Sequence, residues 1–234
     1  MHYSSSLIAA TLIRRYKRFL ADVELASGEV ITVHSPNTGS MLGCAEPGMR
    51  VWIRHTNSPT RKYPYAWELS ETVDGTLINV NTILSNKLVR EGIDSGVVSE
   101  LAGYEHCQPE VKYGSQGSRI DLLLTAQERR CYVEVKNVTA MVQGEIAIFP
   151  DAVTTRGVKH LQELMQMVSE GHRAVIFFCV SRNDVKHMRP AHEIDPLYAD
   201  SLRQAVKQGV EALAYVATAT SAEIRLSHAI PISI

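Results

Sequence analysis

The chain has 234 residues, 45% of them apolar and 21% charged, and 24 Lys and Arg against 25 Asp and Glu leave a formal charge of −1. That length can bury a sizeable core in one large domain or two modest ones, and the apolar share excludes a disordered or fibrous chain. Near-neutrality excludes a histone-like polycation, although a handful of clustered cations would still suffice to contact phosphate.

The first apolar run, Leu7–Ile13, is far shorter than the roughly 18 residues that span a bilayer, and so is the later run Ala174–Val180. Arg14, Arg15, Lys17 and Arg18 follow the first run where a signal peptide would be cleaved. Neither export nor a membrane partner is expected, and the cytoplasm is the expected location. Cys44, Cys107, Cys131 and Cys179 are scattered without a CxxC pair, which fits reduced thiols.

In chain order, Ala10–Leu25 reads as a long, polar-interrupted extended stretch, and Ser27-Gly28 turns it into Val30–His34. Ser35-Pro36-Asn37-Thr38-Gly39-Ser40 is dense in turn formers and is expected to be irregular. Val51–Ile53 and Trp67–Thr72 read as strands around a polar loop, Thr56–Lys62, and Asp74-Gly75 predicts a hairpin into Thr76–Val80. A succession of short strands without a helix predicts a small β-barrel over residues 1–82.

From residue 83 the pattern changes. Ile83, Leu84, Leu88 and Val89 have helical spacing behind Asn81 or Thr82 as a cap. Glu110–Tyr113, Ser118–Thr125 and Cys131–Val135 read as three strands. A helix over Thr155–Gly171 follows, and Ala174–Val180 reads as a strand buried on both faces. Asp195–Gly209 is a second amphipathic helix, followed by strands at Val210–Ala217 and Glu223–Leu226. The order α-β-β-β-α-β-α-β predicts a mixed α/β domain over residues 83–234.

The chemistry is concentrated in Ser118–Leu124 and Tyr132–Lys136. Strand alternation puts Ile120, Leu122 and Leu124 on one face and Asp121 on the other; in the second strand Glu134 and Lys136 oppose Val133 and Val135. If the strands are neighbours, Asp121, Glu134 and Lys136 converge. Two adjacent carboxylates repel unless a hard divalent cation, Mg²⁺ or Mn²⁺, joins them, and Lys136 would then orient water or steady charge on a phosphate. A solvated strand face is the alternative. The nine histidines show no H-x-x-x-H spacing, which argues against zinc.

Other basic groups allow a polymer contact. Arg14, Arg15, Lys17 and Arg18, interleaved with Tyr16 and Phe19, can clamp phosphates and stack bases, or else form a solvated strand edge. Arg61-Lys62-Tyr63 adds a second basic stretch in the same half. Asn37 and Thr38 can contact phosphate from their turn, and Arg156, Lys159 and His160 open the helix after the third strand, facing either the site or solvent.

The Asp121, Glu134-x-Lys136 set on consecutive strands resembles the PD-(D/E)XK nuclease superfamily, with Ile120 in place of that motif's proline. The superfamily's extra acid would be Glu91, Glu100 or Glu110. Over the whole chain, Arg14–Phe19, His34-x-Pro-Asn-Thr-Gly-x-Met41-x-Gly43, Glu110–Gly114, Ser118–Asp121, Glu134–Lys136 and Phe149–Leu161 resemble the bacterial sugar fermentation stimulation protein A family. That resemblance implies an N-terminal OB-like β-barrel, a C-terminal nuclease-like domain, non-specific binding of single- or double-stranded DNA, and a link to regulation of maltose and other sugar metabolism. The enzyme reading is a Mg²⁺-dependent DNA phosphodiesterase. The alternative is a DNA-binding regulatory protein without turnover. A sugar-metabolising enzyme has no motif in the chain.

Overall fold

The structure, a computed structural model, describes residues 1–115 and 117–234. Its first part is a barrel built from β1 (Leu7–Tyr16), β2 (Leu20–Leu25), β3 (Val30–His34), β4 (Arg50–His55) and β5 (Tyr65–Glu71), with β6 (Leu77–Asn79) appended. The strand order is β3-β2-β1-β4-β5-β6, and His34 pairing with Ala66 joins β3 to β5 and closes the barrel. Period-two alternation fills the interior: Ala10, Leu12, Val23, Val33, Val51, Ile53 and Trp67 are buried together. The Asp74-Gly75 hairpin is present, with Leu69 opposite Asn79.

One strand expectation is corrected. The extended stretch Ala10–Leu25 is two strands, with Tyr16 paired to Leu20 across a turn. Lys17 and Arg18 take φ values of 48° and 66° there, a conformation that side chains with a Cβ rarely adopt. With no Gly or Asn, the turn carries none of the usual sequence signals. The basic residues Lys17 and Arg18 therefore sit at a hairpin tip rather than along a strand.

The second part opens with α1 (Ile83–Asp94), then β7 (His106–Tyr113), β8 (Ser118–Ala126) and β9 (Arg129–Val138). Short strands β10 (Met141–Val142) and β11 (Ile146–Phe149) lead to α2 (Thr155–Ser169). The chain continues through β12 (Arg173–Val180), β13 (His187–Pro190), α3 (Pro196–Lys207), β14 (Glu211–Ala219) and β15 (Ile224–Ala229). The main sheet has the order β15-β14-β12-β9-β8-β7, with β12 parallel to both β9 and β14. The expected alternation of helices and strands is there. The small sheet β10-β11-β13 was not expected, because strands of two to four residues leave no periodicity to read.

β12 explains the layering. Ala174, Ile176, Phe178 and Val180 pack under α2 and α3 with Leu161, Leu164, Tyr198 and Leu202. Val175, Phe177 and Cys179 pack on the opposite face with Leu88 and Val89 of α1. A strand apolar on both faces is stable only between two helical layers, each fully buried side chain contributing roughly 1.5–3 kcal/mol. The N-terminus crosses back to this part: Met1 N donates to Ile224 O at 2.9 Å, and His2 pairs with Glu223.

Candidate active site

The site forms where the β8–β9 ladder stops. The strands pair antiparallel from Ala126 opposite Arg129 up to Leu122 opposite Val133, and then part. Just past that rung Asp121 substitutes its side chain for a backbone acceptor: Oδ2 accepts from the Val135 N–H at 2.7 Å. On the other flank, β7 pairs Pro109 with Leu122 and Val111 with Ile120, and between them Glu110 turns to φ 56°. The expectation that Ile120, Leu122 and Leu124 share a face is therefore corrected. Leu122 and Leu124 lie in the core beside α1, whereas Ile120 joins the core under α2. The alternation breaks at Asp121 because a side-chain bond and a left-handed residue replace two regular rungs.

β9 keeps its alternation. Cys131, Val133 and Val135 enter the core beside α1, so Glu134 and Lys136 project toward α2. Glu134 is 2% exposed. The Thr154 side chain caps α2 by accepting from Gly157 N at 3.0 Å, which sets Arg156 and His160 one turn apart on one face. Lys136 Nζ donates to Glu134 Oε1 at 2.7 Å, and His160 Nδ1 bonds the same oxygen. Arg156 Nε donates to His160 Nε2 at 3.2 Å, which places the ring proton on Nδ1, toward Glu134. From α1, Asn86 Nδ2 donates to Asp121 Oδ1 at 2.8 Å.

The barrel supplies the remaining wall. Asn37 and Gly39 line the cavity with these groups, and its volume is about 330 Å³. Asn37 Oδ1 accepts from Gly39 N at 2.8 Å, and Asp151 Oδ2 accepts from Met41 N at 2.8 Å. A Cβ on Gly39 would lie 3.0 Å from Asn37 Oδ1 and 3.1 Å from Asp151 Oδ2, so a side chain there would crowd both oxygens.

Electrostatics divide the two carboxylates. Burial, together with the charge of Glu134, pushes the Asp121 carboxyl up to about 6. Burial also acts to raise Glu134, but Lys136 and His160 outweigh it and hold that carboxyl below its ordinary value. Glu134 Oε2 is buried and has no hydrogen-bond partner among the described residues. Among the described residues no group of three or more His, Cys, Asp or Glu could hold a metal. The donor set is instead two carboxylates, which suits a hard cation that keeps several waters.

Asn37, Asp121, Glu134, Lys136, Arg156 and His160 thus share one cavity. Other residues singled out from the sequence lie elsewhere. Arg14 pairs with Asp22 at 2.8 Å. Arg15 donates to the carbonyls of Asn37 at 2.8 Å and Gly39 at 2.9 Å, and also to that of Arg18. Arg18 Nη2 donates to Thr38 O at 3.2 Å, while the Thr38 and Lys17 side chains are exposed. Lys159 is half-buried on α2, off the cavity lining. None of the three candidate extra acids lines the cavity: Glu91 pairs with the N-terminal ammonium, Glu100 accepts from Tyr215 OH at 2.6 Å, and Glu110 is exposed. The sequence reading missed Asn86 and Asp151. Asp151 at least fell in a quoted block, next to Pro150; Asn86 carried no signal beyond its place on a helix.

Comparison with known proteins gives a coherent result. A family model described as "Sugar fermentation stimulation protein RE domain" matches residues 83–223, and one described as "SfsA N-terminal OB domain" matches residues 13–80. The chain is 59% identical over 214 residues to a sugar fermentation stimulation protein homolog of Thioalkalivibrio sulfidiphilus, covering 92% of this chain and 90% of the relative. It is 58% identical over 226 residues to the homolog of Pelobacter propionicus, covering 97% of each. Among solved structures, Pyrococcus furiosus SfsA in complex with Ca²⁺ superposes with a TM-score of 0.89 at 27% identity, over 100% of this chain and 98% of that one.

Proposed function

The chain belongs to the sugar fermentation stimulation protein family, and on that premise we propose that it is a Mg²⁺- or Mn²⁺-dependent DNA phosphodiesterase. One observation carries the reading. Glu134 is a buried carboxylate with one oxygen tied to Lys136 and His160 and the other, Oε2, without a partner among the described residues, beside an Asp121 that burial and repulsion push toward protonation. A buried acceptor left open in a polar cavity is what a cation would complete. The relative's Ca²⁺ supports the same donor chemistry, because Ca²⁺ and Mg²⁺ are both hard cations that take oxygen ligands.

Asp121 and Glu134 would hold the ion, and when bound it would supply Lewis-acid stabilisation of charge on the phosphate. The protein groups do the rest. Asn86 and the Val135 N–H fix the Asp121 carboxylate, one donor to each oxygen. His160 holds Glu134 in its rotamer. Lys136, in a cavity open to solvent, places an ammonium where negative charge grows as water attacks phosphorus and the P–O bond to the leaving strand breaks. Arg156, exposed at the cavity, offers guanidinium N–H groups to a neighbouring phosphate. The OB domain supports contact with nucleic acid.

The test is incubation of labelled single- and double-stranded DNA with the purified chain and Mg²⁺, Mn²⁺ or EDTA, beside Glu134→Gln. Cleavage is expected with metal in the wild type only. Binding without cleavage of any DNA form, with either metal, would replace the enzyme by a DNA-binding regulatory protein.

A further inference from the structure

The catalytic cavity is walled on two sides, and its carboxylates lie at depth. Glu134 is 2% exposed and its open oxygen Oε2 is buried, so a phosphate meets a cation held there only by entering the cavity. Opposite stands the loop carrying Asn37 and Gly39, which is braced: Arg15 holds the carbonyls of both at 2.8 and 2.9 Å, and Asp151 Oδ2 accepts from Met41 N at 2.8 Å. The volume between, about 330 Å³, is at the low end of what holds one small ligand. As a sphere it would be roughly 9 Å across, less than the width of the DNA major groove alone, about 12 Å.

The lining has charge for one phosphate. Apart from His160 its cations are Lys136 and Arg156, against the carboxylates of Asp121, Glu134 and Asp151. A protein that grips a duplex through roughly 6–10 phosphates needs about as many cations. Much of the remaining lining is neutral and able to hydrogen-bond: Ser85, Asn137 and Thr139 share it with the half-buried Phe149. Asn137 Oδ1 accepts from Ser85 Oγ at 2.9 Å and from Ser181 Oγ at 2.5 Å, which turns Nδ2 the other way. There Nδ2 is buried with no partner among the described residues. Buried amide donors are ordinarily satisfied, so this one marks a place for an acceptor. Amides, hydroxyls and an aromatic ring are the groups that receive a base taken out of its stack.

We propose that the cavity admits one unpaired nucleotide at a time, its phosphate at Lys136 and Arg156 beside the cation and its base against Asn137, Thr139 and Phe149. In a paired duplex each nucleotide is held by its partner and its stacked neighbours, so entry requires a strand end, a gap or an unpaired site. What then happens to the strand rests on the phosphodiesterase reading; what enters rests on the cavity alone.

Thymidine 5′-monophosphate has no diester bond to be cut, so calorimetry in Mn²⁺ reads its binding whether or not the protein cleaves DNA. Saturable binding to one site per chain is expected, displaced by oligothymidylate and weakened roughly three- to tenfold in Asn137→Ala, the loss of one hydrogen bond. In a second arm, a relaxed, covalently closed and fully paired circle should be cut roughly a hundredfold more slowly than the same circle carrying a short unpaired loop, since the paired nucleotide must first be extruded. No binding of the mononucleotide by the wild-type chain, or a paired circle cut as fast as the looped one, overturns the proposal, and neither result depends on how Asn137→Ala folds. Binding that oligothymidylate does not displace makes a free nucleotide the ligand and overturns the strand. Binding and displacement without cleavage of any DNA keep the one-nucleotide cavity and remove the phosphodiesterase.

Discussion

Asp121→Asn should make the metal-free protein more stable at pH 8, an unusual direction for a buried polar substitution. The carboxyl is pushed from 3.8 up to about 6 by burial first and by Glu134 second. A raised carboxyl in the folded state means that the folded chain holds its proton longer than the unfolded chain does. Stability associated with this group is therefore full below about pH 4, declines as pH rises toward 6, and is gone above it. At about 1.4 kcal/mol for each pH unit, keeping Asp121 ionised at pH 8 costs about 3 kcal/mol. The amide removes the charge and can keep both contacts, its oxygen accepting from Val135 N and its nitrogen donating to a flipped Asn86 side chain. A residual mismatch of roughly 1 kcal/mol still leaves a gain of about 2 kcal/mol. Urea unfolding in EDTA at pH 8 and pH 4 measures it, and the gain should vanish at the lower pH. Adding Mn²⁺ should stabilise the wild type and leave the variant unmoved, because only a ligand that binds the folded state raises its stability. A variant less stable than wild type at pH 8, or a gain that persists at pH 4, would refute the electrostatic account of the site.

Glu134→Gln should abolish metal-dependent cleavage while metal-free DNA binding is kept or tightened, since one carboxylate no longer repels phosphate; Lys136→Ala should also abolish cleavage but weaken binding slightly. Gel assays of cleavage and anisotropy in EDTA separate the two. Lys17→Ala with Arg18→Ala should lower the salt slope of DNA binding by roughly 1.4–1.8, whereas Arg14→Ala, already paired with Asp22, should leave it nearly unchanged. Equal slopes in all three proteins would move the binding face off the hairpin tip. Glu68→Ala should destabilise the chain by roughly 3–5 kcal/mol in thermal or urea unfolding, because it strands Arg54, which bonds the fully buried Glu68 at 2.8 Å, and frees the Asn81 amide that donates to it at 2.6 Å.

The sequence was most informative where burial alone decides structure. Ala174–Val180 could be read as a two-faced strand because both faces meet helices, and the Thr155 helix because its apolar stripe runs from Val158 to Val168 and stops at Gly171. It was least informative where a side chain or an unfavourable backbone angle replaces a regular feature. The Lys17–Arg18 turn lacks glycine, being held from outside by Arg15. The break in β8 at Asp121 appears as unbroken alternation in the text of the strand, since what interrupts it is a bond to Val135 N fourteen residues away. The acidic pair and its lysine were legible because the types are few and their spacing is tied to a hairpin. Their supporting groups on other elements, Asn86 and Asp151, depend on tertiary placement that no local pattern encodes.

The loop over residues 35–40 shows why both parts of the chain are needed for one cavity. It is held from three directions: Arg15 of β1 gathers the carbonyls of Asn37 and Gly39, Thr82 at the start of α1 donates to Pro36 O at 2.8 Å, and Asp151 before α2 accepts from Met41 N and, through its carbonyl, from Ser40 Oγ. A free loop would lose roughly 1–2 kcal/mol per residue on ordering around a bound strand. Here that loss is met when the protein folds, so the wall carrying Asn37 and Gly39 already stands opposite Asp121 and Glu134 before any ligand arrives. Arg15 suits this task because it presents five donors in a fixed fork and cannot be neutralised, and its partners are carbonyls that would otherwise need water. A basic residue beside the proposed nucleic-acid surface invites assignment to the ligand. In this fold Arg15 shapes the wall, and the neighbours it leaves exposed, Lys17 and Phe19, are the ones free to touch what passes over it.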